Sequence, residues 1–265
     1  MKLIAHIYQQ FDADRNREIP AENFGGWRTT QIEIAPQHTA LVVMHAWDFS
    51  RAESYPGWLR VVEYIPRARH ICETLFPDLL AAARASTLKV YHVVEQGTYY
   101  QHLPGYQRAQ ALAGPASDLP QVSPDPVYEN LRSVNLSFGE HNSDDIRCAF
   151  ADLDFAAQAR PMHNEGVAEC SEQLFALCRE DGVNHLIYIG FAINWCLLLS
   201  PGGMADMRKH GLLCSTVRQA VTAVENRETA RTELAKELAL WRVALDFGFV
   251  FDADDIINAL YEQVA

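Results

Sequence analysis

Three short apolar runs punctuate the chain: TALVVMH (39–45), TLKVYHVV (87–94) and HLIYIGF (185–191). Each has the length of a buried strand and is rich in β-branched or aromatic residues. A weaker fourth run, GLLCSTV (211–217), follows. Helix-length segments lie between them: VVEYIPRARHICETLFPDLLAAARAS, CSEQLFALCRED and LLLSPGGMADMRKH. Such alternation predicts an α/β protein, a doubly wound three-layer sandwich with a mainly parallel sheet and helices on both faces. Within SEQLFALCRE the helical period puts Leu174, Leu177 and Cys178 on one side, so Cys178 reads as core packing, as do Cys72 and Cys214. The C-terminal third is helical in pattern, and DADDIINALYEQ opens with acidic capping residues. Residues of about 100–160 are rich in proline and glycine and have little periodicity. We expect one domain spanning 1–265, with an N-terminal extension over 1–35 and an insertion over about 100–160 that forms a lid, a pocket wall or an oligomer contact.

Composition narrows the partners. A formal charge of -12 over 265 residues disfavours nucleic acid and anionic membrane and leaves a small molecule as the expected ligand. The six cysteines form no C-x-x-C pair and no zinc-ribbon spacing, which implies reduced thiols and a cytoplasmic location. The opening apolar run is too short for a signal-peptide core, and no segment has a membrane span's length of uninterrupted apolar residues. The sequon Asn135-Leu136-Ser137 is accidental in this setting. FDADRNREIP alternates acids like the start of an EF-hand loop but lacks its glycine and closing glutamate, so it reads as a solvated turn.

In an open parallel sheet, ligands bind at the carboxyl ends of the strands. Those ends carry His45, Trp47 and Asp48, then His92 and Glu95, then Ala192 to Cys196. Cys196 falls where a helix begins, beside free N–H groups that lower a thiol pKa and stabilise an oxyanion. The apolar LLL that follows fits a buried packing cysteine equally well, so both readings stand on the residues alone.

These segments resemble the isochorismatase-like cysteine hydrolase superfamily, which includes nicotinamidases, N-carbamoylsarcosine amidase and biuret hydrolase. The likeness covers most of residues 36–225: TALVVMHAWDF against the family's ALLVIDMQxDF, the first helix and second strand, and LIYIGFAINWCLLL against its lvvtGvatnxCV. It implies the family's Rossmann-like topology, Cys196 as nucleophile, and a cis peptide at Phe191-Ala192. It also implies an oxyanion hole from the Ala192 and Cys196 amides, and a homo-oligomer. The rest of the triad does not carry over. The family's basic aspartate falls on His45 counting from TALVV, or on Met44 counting back from DF. The lysines are Lys2, Lys89, Lys209 and Lys236, none in the family position; the nearest cation is Arg160, with His163 close by.

Two expectations follow. In the first, His45 replaces the aspartate, forms a thiolate-imidazolium pair with Cys196, and the protein hydrolyses a C–N bond of a small amide, imide or ureide. Asp48 and Arg160 are further catalytic candidates, and Trp47, Tyr99, Phe191, Asn194 and Trp195 are candidates for the pocket wall. In the second, the scaffold is a degenerate one that binds a ligand or serves an assembly. A vinyl-ether hydrolase of the isochorismatase type, which does not need the cysteine, is a further alternative. No cofactor and no metal are expected: VYHVVEQGTYYQH lacks the Asp-x-His pair by which some nicotinamidases hold a metal, and His92, Glu95 and His102 fit no standard spacing.

Overall fold

The computed structural model describes residues 1–114, 120–135 and 138–263; part of the sequon and residues 115–119 of the insertion lie outside them. The strands are β1 (Lys2–Gln9), β2 (Gly26–Glu33), β3 (Thr39–Met44), β4 (Lys89–Val93), β5 (Gly166–Ala168), β6 (His185–Gly190), β7 (Leu213–Val221) and β8 (Val250–Phe251). The helices are α1 (Pro56–Val61), α2 (Ile65–Thr74), α3 (Phe76–Ala85), α4 (Pro104–Ala113), α5 (Pro126–Asn135), α6 (Glu140–Ala151), α7 (Ser171–Asp181), α8 (Met204–Lys209), α9 (Leu234–Asp246) and α10 (Ala253–Glu262).

One eight-stranded sheet runs in the order β2-β1-β8-β7-β6-β3-β4-β5. The strands from β8 to β5 pair in parallel, and β1 is antiparallel to both β2 and β8. All six residues of β3 and of β6 are buried, because these central strands are covered by helices on both faces. The strand period of two divides their side chains between two cores. Leu41, Val43, Ile187 and Ile189 pack with α2, α3 and α10, while Ala40, Val42, Leu186 and Tyr188 pack with α7, α8 and α9. Cys72 belongs to the first core; Cys178 and Cys214 belong to the second.

The N-terminal extension folds as the β1–β2 hairpin and extends the sheet, with the solvated FDADRNREIP turn at its tip. The insertion, expected to be irregular, supplies α4, α5 and α6. Its helical period is masked because α5 leaves Val127, Tyr128 and Leu131 exposed instead of presenting a clean buried stripe. Asp252 stands at the N-cap of α10, yet its carboxylate bonds His6 and Gln219 instead of the helix amides. Among the described residues, no helix is long and apolar enough to cross a membrane.

Candidate active site

Three adjacent parallel strands, β4, β3 and β6, end side by side and place the chemistry. At the end of β6 the backbone of Gly190 lies so close to Met44 that a Cβ would meet the Met44 carbonyl oxygen at 1.9 Å; its φ of +122° also suits only glycine. The chain then passes through the cis Phe191-Ala192 peptide into a wide helical turn, Ile193–Leu197. Ile193 N donates to Thr222 O, and both ends of the Asn194 amide bond the backbone of Val224. Cys196 is thereby held half-buried at the mouth of the sheet. Burial raises its pKa, as does the charge of Glu95. The Ser200 hydroxyl and the backbone amides of Ala192 and Cys196 push the other way.

At the end of β3, His45 takes φ 52°, a left-handed conformation that costs a non-glycine residue about 1–2 kcal/mol. Its ring stacks on Trp47 at 4.9 Å between centroids and 11° between planes. Both ring nitrogens are buried without a hydrogen-bond partner. Leaving a buried polar atom unpaired costs on the order of 1–3 kcal/mol, so the His45 imidazole is a destabilising feature at this strand end. Burial alone lowers the pKa of His45 from 6.5 to about 3.

Just past the end of β4 stands Glu95. Its Oε2 approaches His45 Nε2 at 3.7 Å, too far for a hydrogen bond. Burial raises its pKa above the ordinary carboxylate value, and no neighbouring cation offsets the shift. One ligand-type atom each from His45, Glu95 and Cys196 lies within 4.8 Å of the others. Tyr64, buried at the start of α2, is close enough for the thiol's charge to raise its own pKa further.

The structure brings His45 and Cys196 together and adds Glu95, which is not among the site residues expected from the sequence. The signal was present in VYHVVEQG, at the same kind of strand end that selected His45. Several other candidates fall elsewhere. Asp48 caps the turn after β3, accepting from Ser50 N at 3.1 Å and Ser50 Oγ at 2.6 Å. Arg160 is paired with Asp154 at 2.9 Å. Phe191 is fully buried and stacks on Phe76, so it is core and not pocket wall. Asn194 is used up in pinning the turn. Trp47 and Tyr99 line a narrow enclosed cavity with His45, and Trp195 is 62% exposed beside the thiol. A thiolate-imidazolium pair is disfavoured here, because His45 lies in low dielectric with no counter-charge in hydrogen-bonding contact.

No protein-family profile matches the chain, and no curated protein matches its sequence. Solved structures do match its shape. A cysteine hydrolase from Pseudomonas syringae pv. phaseolicola 1448A superposes with a TM-score of 0.50 at 14% identity, over 88% of this chain and 96% of that one. An isochorismatase family protein from Burkholderia thailandensis gives 0.49 at 18% identity, over 87% and 99%. An isochorismatase-like hydrolase from Alkaliphilus metalliredigens gives 0.49 at 16% identity, over 83% and 97%. The chain has the isochorismatase-like fold that its motifs resemble.

Proposed function

We propose that the protein is a hydrolase that cleaves a C–N bond of a small amide, imide or ureide through a thioester on Cys196, with Glu95 as proton acceptor. The carrying observation is the convergence of Cys196, His45 and Glu95 within 4.8 Å at the ends of three adjacent strands. The carboxylate that the resembled family takes from its first parallel strand would come here from the second. Glu95 is the better base of the two neighbours: its pKa is raised, whereas that of His45 falls to about 3. The fold shared with a cysteine hydrolase supports the same reading.

In this reading the Cys196 proton passes to Glu95 as sulfur attacks the carbonyl carbon. The carbonyl electron pair moves onto oxygen, which the Ala192 and Cys196 amides stabilise. Collapse breaks the C–N bond, and the departing nitrogen takes the proton from Glu95. Water, deprotonated by Glu95, then cleaves the thioester, and the proton returns to sulfur. Neutral His45, fixed against Trp47, is a positioning residue whose Nε2 stands 3.7 Å from the Glu95 carboxylate. Exposed Trp195 and Leu199 beside Cys196, and Leu234 and Leu238 on the adjoining α9, support a homo-oligomer that covers this apolar face.

A panel of small amides, ureides and imides tests the reading. Turnover of one class by the wild-type chain is expected, falling by about 10⁴-fold or more in Cys196→Ala. Turnover that survives this substitution contradicts a cysteine nucleophile.

A further inference from the structure

The same three side chains have the make-up of a cation site. Among the described residues they form the single group of three histidine, cysteine or acidic side chains whose ligand atoms gather so closely. Around tetrahedral Zn²⁺, ligands bound at about 2.0–2.3 Å stand roughly 3.3–3.8 Å apart. A nitrogen and an oxygen ligand stand at the short end of that range, about 3.3–3.5 Å apart, so the 3.7 Å between His45 Nε2 and Glu95 Oε2 is a few tenths of an ångström too wide, and the 4.8 Å bound on the whole group leaves about 1 Å for the half-buried Glu95 and Cys196 side chains to close. An independent sign is the imidazole itself: His45 is 2% exposed, neither nitrogen has a hydrogen-bond partner, and one nitrogen faces the carboxylate.

The residue types fit as well. A thiolate, a neutral imidazole and a carboxylate are a ligand set suited to a borderline-soft divalent ion. A thiolate and a carboxylate together carry two negative charges, so a divalent ion makes the half-buried site neutral. Among the described residues no cation lowers the pKa of Glu95 or Cys196; Arg160 is committed to Asp154, and Arg84 to Glu165. From the sequence no metal site is visible, because the three ligands come from three strand ends, 50 and 101 residues apart in the numbering.

We infer that Cys196 Sγ, His45 Nε2 and the Glu95 carboxylate bind one Zn²⁺-class cation, with a fourth position left to water. On binding, a metal–sulfur bond forms and the S–H proton leaves to solvent. The inference rests on the proposed function in one respect: an ion on the sulfur occupies the nucleophile, so metal loading and C–N bond hydrolysis exclude one another and the ion holds the enzyme off.

Chelator-stripped protein titrated with Co²⁺ tests this. One equivalent is expected to give the visible bands of a tetrahedral site and a near-ultraviolet thiolate-to-cobalt charge-transfer band. Cys196→Ser abolishes the charge-transfer band, and His45→Ala and Glu95→Gln each weaken Co²⁺ binding about 100-fold or more. Circular dichroism checks that each variant is folded, with Glu95→Asp as the second variant should Glu95→Gln fail to fold. One equivalent of Zn²⁺ should slow iodoacetamide alkylation of Cys196 by about tenfold or more, read by peptide mapping because Cys148 is also exposed. Absence of the band, its survival in Cys196→Ser, or alkylation unchanged by Zn²⁺ overturns the inference. The cobalt spectrum needs no substrate, so a site that binds metal while the stripped protein hydrolyses nothing sinks the proposed function and leaves the metal site standing.

Discussion

The molecule sets a buried histidine against a glutamate twice, with opposite outcomes. His92 on β4 and Glu165 just before β5 sit 2.9 Å apart, and Arg84 grips the same carboxylate at 2.7 and 3.0 Å. His45 and Glu95, at the neighbouring strand ends, stop at 3.7 Å with no cation between them. The pKa of Glu165 falls from 4.5 to about 2, because hydrogen bonds from His92 and Arg84 outweigh the burial that would raise it. That of Glu95 rises, because burial acts alone. A hydrogen-bonded imidazole and a guanidinium separate a settled ion pair from a poised one. Stability is served by the first arrangement; a group that must accept and release a proton, or bind an ion, needs the second.

The comparison breaks most visibly when its two glutamates are exchanged for glutamine. Glu95→Gln should lower hydrolysis by about 10²–10⁴-fold in chelator-treated protein, the usual worth of a general base, while leaving the melting temperature near the wild-type value. Glu165→Gln should do the reverse. Removing one charged partner of a buried pair strands Arg84, for a loss of about 3 kcal/mol in unfolding free energy measured by urea denaturation, with turnover per folded molecule retained. A fall in turnover for both variants, at equal folded fraction, would dissolve the distinction.

Acid titration of stability is a finer probe of the settled pair. Glu165 binds its proton less readily in the folded chain than in the unfolded one, so its contribution is fully present above pH 4.5 and is lost as pH falls toward 2. Over that window the wild-type chain should lose about 2 kcal/mol that Glu165→Gln does not lose, measured as the difference between their urea midpoints at successive pH values.

Much of the fold was legible because its central strands are buried on both faces. TALVVM and HLIYIG announce themselves as continuous apolar runs, and their ends selected His45 and Cys196. The β1–β2 hairpin was not legible: β2 is mostly exposed at the sheet edge, and GWRTTQIE shows no buried face to read. β8, two residues long, offers no period at all. Glu95 was visible as a strand-end residue, but its partnership depends on β4 lying beside β3 and on a gap of 3.7 Å that spacing along the chain does not encode. Arg160 was drawn toward the thiol by the absence of lysine; Asp154, six residues earlier, holds it elsewhere.

The smallest effect reads most directly whether Glu95 faces the Cys196 sulfur and takes its proton. In metal-free protein the Glu95 carboxylate raises the thiol pKa, so removing its charge should make Cys196 more acidic. Iodoacetamide alkylation of Cys196, followed by peptide mapping at pH 7.5, should therefore run a few-fold faster in Glu95→Gln than in the wild type, while hydrolysis by the same sample falls. Alkylation and hydrolysis that both stay at wild-type rates would show that Glu95 neither senses the thiol nor serves it, and the proposed centre would not stand.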